Sequence, residues 1–224
     1  LPRFDIVRQN CPDNTFRVSK IEADYDIKPE NSCEHFVGEI QIPDEWNIGV
    51  IVGGSGTGKS TIAKEVFGEH YVSGYEYTAK SVIDDMPKCD VSEICKMFYA
   101  VGFGSVPSWL KPYSVLSNGE KMRVDLARAL LTQDFVCFDE FTSVVDRQVA
   151  QTACLATSKA VRRGGRKFVA VSCHYDILDW LEPDWVFDTN TMQNFFGAAH
   201  AHGKSLPSDG ATAASGQSLG VITI

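Results

Sequence analysis

Residues Gly53 to Ser60 read GGSGTGKS, and Asp139 and Glu140 end the apolar run FVCFDE. The small residues Gly53, Gly54, Ser55, Gly56, Thr57 and Gly58 let a backbone turn so that successive N–H groups point inward at phosphate oxygens. A helix beginning just behind such a turn adds a dipole that favours anions. At this spacing Lys59 supplies a mobile positive charge for β- and γ-phosphates, and Ser60 a hydroxyl for Mg2+, with Thr61 beside it in the same phosphate site. The pattern predicts ATP and Mg2+ as ligands. Asp139 can hold Mg2+ through water, and Glu140 can orient or deprotonate an attacking water. An apolar strand followed by two acids is, alone, more often a solvated strand end. Its place downstream of the glycine loop favours the chemical reading.

Such groups need a strand before the loop, a helix after it and a second strand beside the first. Asn47 to Val52 (NIGVIV) is an apolar run without alternation, as in a buried parallel strand. Lys59 to Phe67 has Ile62, Ala63, Val66 and Phe67 at helical spacing, with Gly68 where a helix would stop. Phe135 to Phe138 and Lys167 to Ser172 read as further central strands. Val91 to Tyr99, Glu120 to Leu131 and Arg147 to Arg163 read as helices, and Gly102 to Pro112 as a loop. Phe4 to Val7 and Phe16 to Ile21 look like paired strands, followed by another at His35 to Ile42. The alternation predicts an α/β fold with a mainly parallel central sheet and N-terminal antiparallel strands; with the glycine loop it resembles the P-loop NTPases, a resemblance that implies a short helical subdomain.

Further motifs narrow the class. LSNGE at Leu116 to Glu120 lies directly before the helix EKMRVDLARALL and resembles the signature motif of the ABC-type (ATP-binding cassette) ATPases. Ser117 with Glu120 three residues on is also a plain capping box, and both readings can hold together. SVVD at Ser143 to Asp146 looks like that family's D-loop, and His174 like its switch histidine. Singly, Asp146 would be a helix cap and His174 a bland histidine; their order and spacing favour the family's roles. The resemblance covers about Phe4 to Asn194. It implies an ATP-dependent head-to-tail homodimer that hydrolyses ATP. Ser117 and Gly119 of one copy would touch the γ-phosphate held by Lys59 of the other, with Asp146 at the shared face. Glu140 would activate water, and His174 would contact the γ-phosphate.

The chain departs from the family pattern as well. No glutamine lies between Thr61 and Leu116, so the Q-loop residue has no plain counterpart, and the interval from Lys59 to Ser117 is short for a transporter subunit. No heptad array fits between the motifs, unlike the DNA-repair ATPases. The compact arrangement resembles small stand-alone ABC ATPases of phage and bacterial origin, some joined to an acetyltransferase-like domain. A rival expectation is a nucleotide-dependent regulatory clamp with little turnover. The implied partner is DNA or a protein.

The net charge of −8 opposes non-specific attraction to nucleic acid or anionic lipid. Seven cysteines without a CxxC pair suggest a reducing compartment. No run approaches the roughly 18 apolar residues of a membrane span, so no membrane association and a cytoplasmic location are expected. The ATPase domain is assigned to residues 1–196, and 197–224, poor in large apolar residues, to a disordered tail. Tyr25 is the first candidate for an adenine-stacking aromatic and Phe36 the second, although either is more often core. RRGGRK at Arg162 to Lys167 reads as a basic helix end rather than a nucleic-acid contact, and Trp109 and Tyr113 as packing under a loop.

Overall fold

The computed structural model describes residues 1–9, 13, 15–26, 33–197 and 222–223. The central sheet has six strands, built around β3 (Ile48–Val52). β3 lies between β6 (Lys167–Ser172) and β7 (Trp185–Asp188), and β5 (Phe135–Phe138) separates β6 from the short edge strand β4 (Tyr71–Val72). These pairings are parallel, whereas β8 (Gln193–Phe196) adds antiparallel to β7 at the other edge.

Alternation along β3 decides how the layers form. Ile48, Val50 and Val52 enter one buried cluster, while Ile51 enters the other. The first cluster receives α3 (Val91–Ala100), α5 (Asn118–Thr132), α6 (Arg147–Arg163) and α7 (Ile177–Leu181). The second receives α2 (Lys59–Phe67) through Ile62, Ala63 and Phe67. Both sheet faces are thus covered, which removes its apolar strands from water.

A separate antiparallel sheet joins β1 (Arg3–Gln9) to β2 (Cys33–Glu39), with β9 (Ile222–Thr223) beside β2. Phe4 and Phe36 carry this sheet onto the second cluster. The segment expected to pair with β1 is instead helical: α1 spans Phe16–Tyr25. Thr15 Oγ1 accepts the Val18 N–H at 3.3 Å, and Asp26 closes the other end in a left-handed conformation. These caps satisfy terminal backbone groups that a strand would have had to pair elsewhere. α1 buries no residue, so packing does not dictate its form.

Gly102 to Pro112 is not wholly loop, since α4 (Val106–Trp109) lies inside it. Trp109 is buried, donates Nε1–H to the Phe103 carbonyl at 2.9 Å and packs against Phe98, Tyr99 and Phe103. Of the tail expected at residues 197–224, only Gly197, Ile222 and Thr223 lie among the described residues. Among the described residues no helix is long and apolar enough to cross a membrane.

Candidate nucleotide site

Parallel register gathers the motifs at one sheet edge. Val52 lies opposite Ser172, and Phe138 opposite Ala170, so the segments after β3, β5 and β6 leave the sheet side by side. The glycine loop, Asp139 with Glu140, and His174 follow those three strands. This C-terminal edge is where open α/β sheets bind ligands.

Gly58 caps α2 at φ +83°, and a Cβ there would lie 2.7 Å from the Phe36 ring. Backbone conformation and packing therefore both require glycine. Lys59 opens α2 and its Nζ donates to the Gly54 carbonyl at 2.6 Å, while Thr57 Oγ1 donates to the same oxygen at 2.9 Å. Both donors hold the loop curled around its own carbonyl. From the β7–β8 turn, Asn190 Oδ1 accepts the Gly54 N–H at 3.1 Å, and Thr189 Oγ1 bonds Thr57 Oγ1 at 2.6 Å. That turn props the loop from outside.

Ser60 Oγ donates to Asp139 Oδ1 at 3.0 Å. Asp139 is 8% exposed, and its other oxygen accepts the Tyr71 hydroxyl. Burial and the neighbouring carboxylate push the Tyr71 phenol well above its ordinary pKa of 10.0, so the ring stays a neutral donor. A hydroxyl and a carboxylate at this spacing form the sparse, hard oxygen set that suits Mg2+, which keeps waters and phosphates as its other ligands. Among the described residues no group of three or more His, Cys, Asp or Glu could hold a metal ion. Glu140, next in the chain, is exposed and sits at φ 51°, an unusual backbone for a non-glycine residue that turns it out of the strand line.

The remaining motif residues stand on other element ends. Ser117 caps α5 in a full capping box: its Oγ accepts the Glu120 N–H at 3.4 Å, and Glu120 Oε2 accepts the Ser117 N–H at 3.0 Å. Hydrogen bonds from Ser117 and Ser108 hold the Glu120 carboxyl below its ordinary 4.5. A Cβ on Gly119 would lie 2.9 Å from Val149 Cγ1, so this glycine lets α5 approach α6. Asp146 caps α6, accepting the Gln148 and Val149 N–H groups at 3.0 Å. Among the described residues no hydrogen bond links Ser117, Gly119 or Asp146 to Gly53 to Ser60 within one chain. A cleft of about 180 Å³ separates Asn118, Lys121 and Met122 of α5 from Ser73, Asp139 and Glu140. His174 is half-buried, its main-chain N–H held by Ser172 Oγ at 3.2 Å.

Four residues outside the sequence expectations enter this site: Tyr71, Tyr175, Thr189 and Asn190. Tyr175 follows His174; its hydroxyl donates to Asp188 at 2.9 Å and accepts Asn190 Nδ2–H at 2.8 Å. Among them only Tyr175 carried a sequence signal, its adjacency to His174. Of the adenine candidates, Tyr25 is 71% exposed on α1 and Phe36 lies buried beneath Gly58. Tyr113 stacks on Tyr77 with centroids 3.9 Å apart, and both hydroxyls donate to Asp125. In RRGGRK, Arg162 bonds the Glu182 carbonyl at 2.6 Å and Arg166 lies 3.6 Å from Asp134. Those groups serve packing and helix termination.

No protein-family model matches the sequence, and no curated protein does. Solved structures do. The dimeric structure of MJ0796, a bacterial ABC transporter cassette, aligns with a TM-score of 0.53 at 13% identity over 69% of this chain and 87% of the other. A post-hydrolysis state of the same cassette, bound to ADP and Pi, gives 0.53 at 14% identity with the same coverage, 69% and 87%. The cbiO1 protein of Clostridium perfringens, part of the ABC transporter complex cbiONQ, gives 0.54 at 18% identity over 68% and 76%. In its mostly parallel sheet, antiparallel N-terminal strands and helical layer, the chain has the fold of the ABC ATP-binding cassettes.

Proposed function

We propose that the chain binds ATP with Mg2+ and hydrolyses it to ADP and phosphate at the interface of a head-to-tail dimer. The observation that carries this reading is the Ser60 to Asp139 hydrogen bond at 3.0 Å, which joins the foot of the glycine loop to the carboxylates after β5. Phosphate oxygens would draw Lys59 from the Gly54 carbonyl, and the N–H groups at the start of α2 would face the anion. Bound between Ser60 and Asp139, Mg2+ would neutralise charge on the β- and γ-phosphates. Glu140 would orient the attacking water and take its proton, and His174 would contact the γ-phosphate.

Ser117 stands at the exposed start of α5, and among the described residues no hydrogen bond links it to the loop of its own chain, which favours a role across a dimer. One cassette with this fold, MJ0796, has been seen as a dimer and, in a post-hydrolysis state, as a dimer bound to ADP and Pi. The short interval between Lys59 and Ser117 favours action on a DNA or protein partner over transport.

Glu140→Gln should stop turnover and accumulate ATP-bound dimers. Light scattering of that variant at saturating MgATP tests the sandwich, and a monomer refutes it. Phosphate release with and without DNA, against Lys59→Ala, tests hydrolysis. Nucleotide binding without release above that control would instead mark a regulatory clamp.

A further inference from the structure

β4 contains only Tyr71 and Val72, yet it fixes Asp139 twice. The Val72 carbonyl accepts the Asp139 N–H at 2.8 Å, and the Tyr71 hydroxyl donates to Asp139 Oδ2. Asp139 Oδ1, the other oxygen, is the one that meets Ser60. The two oxygens therefore face different duties: one points at the loop hydroxyl, the other is tied to the edge strand. Tyr71 can reach because parallel pairing sets it opposite Cys137, two residues before the carboxylate, with its ring packed on the apolar cluster beneath α2. A carboxylate with one oxygen tied and its backbone pinned has few rotamers left, so little orientation entropy remains to be lost when a cation arrives.

The same stretch carries no glutamine between Thr61 and Leu116. Ser73 and Gly74, which follow β4 along the cleft beside Asp139 and Glu140, offer no long side chain. Among the described residues, Ser60 and Tyr71 are the side chains that hydrogen-bond Asp139.

We propose that Tyr71 is a positioning residue for magnesium, holding Asp139 Oδ2 through its hydroxyl so that Oδ1 and Ser60 Oγ are preset for the cation. The inference rests on the nucleotide reading above and deepens it. Tyr71 touches neither nucleotide nor reacting atoms; it acts through Asp139. Removing the hydroxyl frees the carboxylate to rotate, and the loss falls on the metal rather than on the phosphates.

The test is Tyr71→Phe in the full chain, which keeps the ring and its packing. ADP binding is measured by calorimetry in EDTA and then across a Mg2+ titration, with Lys59→Ala and Asp139→Asn alongside. Metal-free ADP affinity and the thermal midpoint should match wild type, while the Mg2+ concentration giving half the effect rises about tenfold. In the Asp139→Asn background, Tyr71→Phe should add nothing. An unchanged or lower Mg2+ requirement overturns the inference, as does an equal loss of ADP affinity with and without metal. If wild type shows no Mg2+ effect on ADP binding, the nucleotide reading falls too. A wild-type effect that Tyr71→Phe leaves intact removes only the role of Tyr71.

Discussion

Arg147 grips Asp176 with two nitrogens: Nε donates to Oδ2 at 2.8 Å and Nη2 donates to Oδ1. This fork ties the residue after Asp146 to the residue two beyond His174, so it joins the start of α6 to the segment after β6. Arg147 also lies over the Trp180 ring at 5.2 Å, which limits its swing.

A double-mutant cycle on Arg147→Ala and Asp176→Ala should return a coupling of about 1 kcal/mol in urea unfolding, since both side chains are partly exposed. Both single variants should also slow phosphate release more than they weaken ATP binding. Additive unfolding energies would show that the fork contributes no coupling.

Asn190→Ala removes the acceptor of the Gly54 N–H and one contact of Tyr175. ATP affinity should fall about fivefold, the equivalent of one hydrogen bond of about 1 kcal/mol. Fluorescence titration with an ATP analogue measures this, and Thr189→Val should weaken binding in the same direction. Unchanged affinity in both variants would mean the β7–β8 turn does not shape the loop.

The glycine loop, the FVCFDE strand and the helices α3, α5 and α6 were legible because each is a local pattern, either a fixed spacing or a 3.6-residue period. α1 was misread because Val18 and Ile21 suggest a strand, while Thr15 and Asp26, which end the helix, look like ordinary loop residues. Nothing local marks Tyr71 or Asn190. Tyr71 works through a two-residue strand and Asn190 through a turn, and only the parallel register brings either to the glycine loop or its carboxylate. Cap geometry at Ser117 was foreseeable from Ser117 and Glu120, but the contact of Gly119 with Val149 depends on how α5 meets α6.

The capping box makes stability pH-dependent in a defined direction. The Glu120 carboxyl is held below its ordinary 4.5, so its stabilising contribution is present above that value and is lost as pH falls through the lowered value. Glu120→Gln should therefore cost about 1 kcal/mol at pH 7 and progressively less as the pH drops below that value. Thermal unfolding of both proteins across pH 3 to 7, roughly the carboxylate range, gives the difference curve. A gap that stays constant would refute the ionised box.

Gly119→Val crowds Val149 Cγ1, already 2.9 Å from where a Cβ would stand. It should destabilise the fold by about 2 kcal/mol through overpacking, and Val149→Ala should recover part of the loss. Denaturant midpoints of the four proteins decide this. No recovery in the double variant would place the strain elsewhere.

Tyr71 and Val72 form the outermost strand of the sheet, with β5 as their sole sheet neighbour. The backbone ladder that steadies the Asp139 carboxylate is thus the shortest in the sheet and lies at an edge, where amides exchange through local opening rather than global unfolding. Ligand binding there would raise the opening energy of this small unit, so MgATP should slow deuterium uptake at Tyr71 to Gly74 and Asp139 while amides in the middle of β3 stay as protected as before. The protein would then sense its nucleotide first as a tightening of its weakest margin.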